Sequence, residues 1–285
     1  MSIRSLALVV NPSRPEAIDA AEKLAPLLYS AGFSLYTISD ISIEGIKKVA
    51  AADLPEIEVA VVLGGDGTIL RAAEVTLSRR IPLLGINLGQ VGFLAEVNRP
   101  TIAAIAESII NKSYVTENRM VLKFTVERNS KEIAQGWALN EVTVERDGTT
   151  MVELFVEIDR RPLSHWGCDG VICSTPTGST AYAFSAGGPV LWPEVDGLVL
   201  LPISAHALFS RPMVVSPKSE IIITVESTEA LLSADALRKL SLQQGDRVVI
   251  TRDEQNIKLS HVSATLFTDR LVAKFKLPVE GWRGE

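Results

Sequence analysis

The chain has 285 residues, of which 47% are apolar and 22% charged, with 28 basic and 34 acidic side chains for a net charge of −6. That length asks for one large or two medium domains, and the balance is that of an ordinary globular protein, not a disordered one. The charge leaves no basic footprint for duplex nucleic acid, no apolar run reaches the roughly 20 residues that span a bilayer, and two cysteines five apart make neither a disulfide framework nor a CxxC metal site.

The N-terminus runs straight into an apolar strand and lacks the layout of a signal peptide, so a cytoplasmic protein is expected. Leu6 to Val10 reads as a first buried strand, stopped by Asn11-Pro12-Ser13. Pro15 to Ala31 then places Ile18, Ala21, Leu24 and Leu28 on one helical face, with Gly32 beyond its end; Pro26 predicts a kink or a late start. Phe33 to Ile38 is a second strand, Ser42 opens a short helix through Ala52, and the β-branched run Val59 to Leu63 is a third strand.

That third strand stops at Gly64-Gly65-Asp66-Gly67. From Thr68 the apolar spacing switches to Ile69, Leu70, Ala73 and Leu77, a helix to about Arg79. A glycine turn between strand and helix brings backbone N–H groups close to a ligand at a helix N-terminus, where phosphate is the natural guest. An aspartate in such a turn makes sense if it holds a metal ion or accepts a proton. The plainer reading is a tight turn with Asp66 as N-cap. A fourth strand, Ile81 to Ile86, leads into a second glycine-bearing loop, Asn87 to Leu94, and a helix runs from Thr101 to about Ile110. Strands alternating with helices give an α/β N-terminal domain with a parallel, helix-covered sheet, whose ligands sit at the carboxyl ends of the strands.

From Arg119 the texture changes. Met120 to Arg128, Trp137 to Arg146 and Met151 to Ile158 are strand-like, with hairpin signals at Asn129-Ser130 and Asp147-Gly148; Ile221 to Glu226, Arg247 to Thr251 and Ile257 to Val262 continue the theme. The division is therefore 1–117 for the α/β domain and 118–263 for a mostly-β C-terminal domain. Ala264 to Phe275 is a further strand candidate, and the segment 264–285 is expected to return to the first domain.

Within the β half, Asn140 and Glu141 stand side by side in an apolar strand, where one of the two faces an unfavourable side unless something binds it. Further on, seven hydroxyl-bearing residues crowd into the 21 positions from Asp169 to Pro189. Such density is unfavourable in a core and useful around a polar, cofactor-sized ligand, although Ser/Thr-rich turns also occur as plain loops.

Together these motifs resemble those of bacterial-type NAD kinases. The resemblance rests on Gly64-Gly65-Asp66-Gly67-Thr68, Asn87-x-Gly89-x-x-Gly92-Phe93-Leu94, Asn140-Glu141, Asp169-Gly170, Ser174 to Tyr182, Ser185 to Pro189, and Pro202 to Pro212, in that order over most of the chain. It implies an NAD kinase-like two-domain fold that transfers the ATP γ-phosphate to the adenosine 2′-hydroxyl of NAD with Mg²⁺ or another divalent cation, commonly as a homodimer or homotetramer. NAD would lie between the domains, with neither nucleic acid nor membrane as a partner. By motif position, Asp66 is the catalytic base and Gly64, Gly65, Gly67 and Thr68 shape the phosphate turn. Asn140 and Glu141 bind a ribose, and Asp169 contacts the nicotinamide half. Thr177, Thr180, Ala181, Tyr182 and Ser185 line the dinucleotide pocket, Phe93 packs near it, and Ser204 offers backbone contact. Two departures stand out: Gly167 where the family often has a basic residue, and Asp235-Ala236-Leu237 where it tends to read Asp-Gly-Gln. The rival readings are a diacylglycerol-type lipid kinase, which shares the glycine turn, and a non-catalytic NAD or NADP sensor.

Overall fold

In the computed structural model, which describes residues 4–88, 92–94, 100–264 and 266–279, the chain divides into two units. The first comprises Met1–Asn118 with Ile257–Glu285, and the second Arg119–Asn256.

The first unit begins with β1 (Ser5–Val10), α1 (Pro15–Ser30), β2 (Ser34–Thr37), β3 (Ile46–Lys48), β4 (Val59–Gly64), α2 (Asp66–Thr76), β5 (Leu83–Asn87) and α3 (Ile102–Asn111). The strands pair in parallel in the order β5-β4-β1-β2-β3. β4 is buried at every position, as a parallel strand covered on both faces must be. Ala21, Leu24 and Leu28 of α1 and Ile105 and Ile109 of α3 join Leu6, Leu8, Val61 and Leu63 in one core. Helix α1 starts at Pro15 and continues through Pro26. Pro26 is exposed, so the carbonyl it leaves without a donor lies on the side that meets water. No helix follows Ser42; β3 and a short 3-10 turn, Ala51–Asp53, occupy that stretch, and Ile41 and Ile43, two apart, both reach the core, the spacing of extended chain.

The chain leaves the first unit within β6 (Val115–Arg128). It continues through β7 (Lys131–Ala138), β8 (Glu141–Glu145), β9 (Val152–Ile158), β10 (Arg161–Cys168), β11 (Gly170–Ser174), α4 (Tyr182–Ser185), β12 (Leu198–Ile203), β13 (Met213–Val215), β14 (Ile221–Val225), β15 (Glu229–Ala234), β16 (Arg238–Gln243) and β17 (Arg247–His261). One antiparallel sheet runs β13-β12-β11-β8-β15-β16; β10, β9, β14 and the start of β17 form a second antiparallel run, and β6 pairs with β7. Val142, Val144 and Val171 of the first meet Leu154, Val156, Ile221 and Ile223 of the second in one sandwich core around Trp166. Asn129-Ser130 and Asp159-Arg160 have positive φ, the backbone of two-residue hairpin turns, and so do Asp235-Ala236 in the three-residue loop between paired Ala234 and Arg238.

Several sequence expectations are corrected here. Trp137 to Arg146 is two strands, broken at Leu139-Asn140. Asp147-Gly148 closes no hairpin, since β8 and β9 belong to different sheets and the segment carries the chain from one to the other. The strand candidates Arg247 to Thr251 and Ile257 to Val262 are a single strand, β17, whose Leu259 and Ser260 pair in parallel with Leu83 and Leu84 of β5. After it comes α5 (Phe267–Phe275), a helix where a strand was predicted; adjacent Arg270 and Leu271 are both buried, which alternation along a strand forbids at a one-sided surface. Residues 280–285 of the expected returning segment lie outside the described residues. Among the described residues no helix is long and apolar enough to cross a membrane.

Candidate active site

In the first unit, the buried run of β4 delivers Gly64 and Gly65 to the carboxyl edge of the sheet, and α2 starts at once. Gly65 is the N-cap and Asp66 the first helical residue; the cap position makes no side-chain hydrogen bond. The Asp66 carboxylate is engaged elsewhere. Its Oδ2 accepts from the Phe93 N–H at 3.0 Å and its Oδ1 from the Leu94 N–H at 3.2 Å, which fixes the direction of both oxygens. Gly92 is required for this approach, because a Cβ there would overlap Asp66 Oδ1. The second glycine loop therefore serves the first, although its Gly89 lies outside the described residues. Phe93 is buried against Phe267 and Phe275, with ring centroids 6.0 and 5.6 Å away. The Thr68 and Ile69 N–H groups turn back to the Gly65 carbonyl, and the Arg14 guanidinium lies beside the turn, its nitrogens 3.8 Å from where a Gly65 Cβ would stand. Sequence reasoning missed Arg14, whose only signal is its place just after the break that ends β1.

In the second unit, the break between β7 and β8 is held from three sides. The Asp235 carboxylate accepts from the N–H groups of Leu139 at 2.8 Å, Asn140 at 2.7 Å and Glu141 at 3.4 Å. Thr175 donates its hydroxyl to the Leu139 carbonyl at 2.6 Å and its N–H to the Asn140 carbonyl at 2.9 Å, and Ser174 Oγ donates to the same carbonyl at 3.1 Å. Gly178 closes against that carbonyl, where any Cβ would overlap. Much of the hydroxyl-rich block is thus internal scaffolding: Ser174, Thr175 and Ser179 are fully buried. Thr177 is buried too and takes a long bond from Arg119 at 3.4 Å, while Thr180 Oγ1 donates to the Thr177 carbonyl at 3.2 Å. Ala181 is half-buried, and Tyr182 and Ser185 on α4 are exposed.

A cavity of about 330 Å³ adjoins the break, lined among others by Glu141, Glu145, Arg146, Tyr182, Asp235 and Lys239. Glu141 is 7% exposed, and its Oε2 has no hydrogen-bond partner. A solvent-facing Glu141 is therefore not what the chain builds. Burial pushes its carboxyl up to about 8, helped by the charges of Asp235 and Glu145 and opposed by the Tyr182 N–H. Near neutral pH it carries a proton and can donate a hydrogen bond. Burial also raises Asp235, against its three N–H donors and Arg238, and burial with the nearby Glu145 pushes Tyr182 up to about 12; the Tyr182 hydroxyl donates to Glu145 Oε2 at 3.1 Å. Asp169 is paired with Arg146 at 2.8 Å, and Ser204, with φ of 50°, is exposed. At the departures from the family pattern, Gly167 sits opposite Glu153 on β9, and Leu237 is exposed beyond the β15–β16 turn. The role of Asp235 as the clasp of Asn140 and Glu141 was not foreseen; no spacing in sequence links residues about 95 apart.

Residues 6–114 match the ATP-NAD kinase N-terminal domain and residues 139–262 the ATP-NAD kinase C-terminal domain. The chain is 42% identical to NAD kinase 2 of Streptomyces avermitilis, covering 99% of this chain and 97% of that one. It is 43% identical to the NAD kinase of Mycobacterium bovis over 99% of both. Among solved structures, it resembles yeast NADH kinase complexed with NADH, at a TM-score of 0.87 and 22% identity, covering 99% of this chain and 89% of that one. It also resembles the Archaeoglobus fulgidus NAD kinase in complex with ATP, at 0.70 and 24%, covering 96% and 98%; at such identities these two likenesses speak for the fold. Matched by both domain families and by full-length relatives, the chain belongs to the ATP-NAD kinase family.

Proposed function

We propose that this chain is an NAD kinase that passes the γ-phosphate of ATP to the adenosine 2′-hydroxyl of NAD, giving NADP and ADP. The observation that carries the reading is the Asp66 carboxylate, pinned by two backbone N–H groups beside a glycine turn, in a chain of the ATP-NAD kinase family. In the reaction the 2′-oxygen forms the new bond to the γ-phosphorus, the bond to the β,γ-bridging oxygen breaks, ADP leaves, and the hydroxyl proton goes to Asp66. Phosphoryl transfer needs alignment and charge balance more than covalent help. Gly64, Gly65, Gly67 and Thr68 hold the phosphates in this reading, with the Arg14 charge beside them. Asn140 and Glu141 hold a ribose, the protonated Glu141 acting as donor; Asp169 takes the nicotinamide half. Thr177, Thr180, Ala181, Tyr182 and Ser185 line the dinucleotide site, with Phe93 near it and Ser204 offering backbone.

A divalent cation such as Mg²⁺ fits this site as a companion of the nucleotide: among the described residues no group of three or more His, Cys, Asp or Glu side chains converges on one point, so its ligands would come chiefly from ATP phosphate oxygens, which it neutralises. The reading includes a cytoplasmic setting, suited to the two buried free thiols Cys168 and Cys173, and a homodimer or homotetramer, for which exposed Leu208 and Phe209 offer apolar surface. Neither nucleic acid nor a membrane is a partner in it.

The test is incubation with ATP, Mg²⁺ and NAD, with NADP read by an NADP-specific dehydrogenase, beside an arm with diacylglycerol vesicles. NADP formation supports the reading; phosphorylated lipid, or binding of NAD without turnover, sinks it. Asp66→Asn is expected to bind NAD and lose about 10²- to 10⁴-fold in turnover, the usual loss for a general base.

A further inference from the structure

The Asp66 carboxylate is only as well placed as the loop that grips it. Phe93 and Leu94 supply the two N–H donors, and what holds that loop comes from far along the chain. Arg270 on α5 is 3% exposed, and its Nη1 donates to the Phe93 carbonyl at 2.8 Å. The same helix brackets the Phe93 ring between Phe267 and Phe275. Arg270 is braced in turn: its Nη2 lies 3.1 Å from His261 Nε2 and 3.3 Å from His261 Nδ1, and His261 Nε2 is 2.9 Å from Glu117 Oε1. One peptide thus has its carbonyl tied to α5, while its neighbouring N–H groups are tied to Asp66.

We infer that Arg270 is a positioning residue for phosphoryl transfer: it anchors the Phe93 carbonyl and so fixes the two N–H groups that aim the Asp66 carboxylate. The inference rests on the reading of Asp66 as the base. Reacting groups must be held to within a fraction of an ångström, and a misplacement of about 1 Å is enough to lower turnover about 100-fold. A carboxylate gripped through a loop inherits the precision of whatever grips the loop.

The experiment is a double-mutant cycle on the full chain with Arg270→Met, Arg270→Lys, Asp66→Asn and the Asp66→Asn/Arg270→Met pair, measuring kcat and KM for both substrates. Arg270→Met keeps the length and apolar contact but not the donor, and it is expected to lower kcat about 10- to 100-fold with both KM values within about twofold. Arg270→Lys restores one donor but not the fork that also meets His261, and it is expected to recover kcat in part, to a value between those of Arg270→Met and wild type. Because Arg270 acts through Asp66, the pair is expected to be no slower than Asp66→Asn alone. With Asp66→Asn slow, an unchanged kcat in Arg270→Met, a loss confined to KM, or losses that multiply in the pair would overturn the inference. Asp66→Asn at the wild-type rate would instead sink the base assignment itself. Should Arg270→Met not accumulate as folded protein, Arg270→Gln replaces it under the same criteria, since it removes the charge and shortens the reach to the Phe93 carbonyl while leaving a polar group beside His261.

Discussion

Glu141 shows how one buried carboxyl ties binding chemistry to stability. Its carboxyl is raised from 4.5 to about 8, so the folded chain keeps a proton that the unfolded chain releases above pH 4.5. The contribution of this group is fully present below the unfolded value and is lost as pH rises toward 8. Glu141→Gln, which cannot ionise, is therefore expected to match the wild type near pH 4 and to exceed it at pH 8 to 9, by roughly 1 to 3 kcal/mol, the scale of a buried unsatisfied group. Denaturant melts at a series of pH values measure this; a difference that does not grow with pH contradicts it. In the proposed reading the unpartnered Oε2 serves the bound ribose, and the native residue is not the most stabilising one. Nothing in the dipeptide Asn140-Glu141 announces the proton, because it depends first on burial and then on Asp235 and Glu145 reaching the same cavity. The Asp66 turn, by contrast, was legible from its own glycines, while the partners of its carboxylate were not.

At the scale of elements, the β15–β16 hairpin turns on Asp235 and Ala236, both with positive φ, 53° and 56°. Aspartate tolerates that conformation, and its carboxylate is engaged with β8; alanine has no such compensation and its Cβ crowds the backbone. Ala236→Gly is expected to stabilise the protein by about 1 kcal/mol, seen as a raised urea midpoint with unchanged slope. A midpoint that falls would mean that the turn does not hold Ala236 in that conformation.

Elements with strong internal patterns were readable: β1 and β4 as β-branched or aliphatic runs, α1 and α3 by their apolar faces, and the turn after β6 from Asn129-Ser130, although β7 was expected only from Trp137 on. Those missed have more than one cause. β10 leaves half of its residues exposed and turns from β9 on Asp159-Arg160, which carries no glycine; β16 alternates over only Leu240 and Leu242; and the buried apolar run of β12 has no alternation to mark it. Helix α5 buries an arginine, and a charged residue on the inner face hides helical period from any apolar count.

At the scale of the whole molecule, the first unit is discontinuous in sequence, since its sheet takes the end of β17 as the parallel neighbour of β5. The second unit has an uninterrupted stretch and its own core. A chain ending at Asn256 is therefore expected to keep slow amide exchange in β8, β11 and β14 while β4 and β5 exchange much faster than in the full chain. Equal protection of β4 in both chains would refute this. The change of texture near Arg119 was visible in sequence; the point of return was harder to place because β17 runs on without a break where two shorter strands were expected.

The grip of α5 on the Phe93 peptide has a further consequence for synthesis. Translation proceeds from the N-terminus at about 5 to 20 residues per second, so the glycine turn emerges long before Arg270 does. Until some 200 further residues have left the ribosome, the carboxylate that would activate a hydroxyl lacks the anchor of its loop. A nascent or prematurely terminated chain therefore lacks the anchor on which the proposed base depends, and full turnover is expected only once α5 is in place.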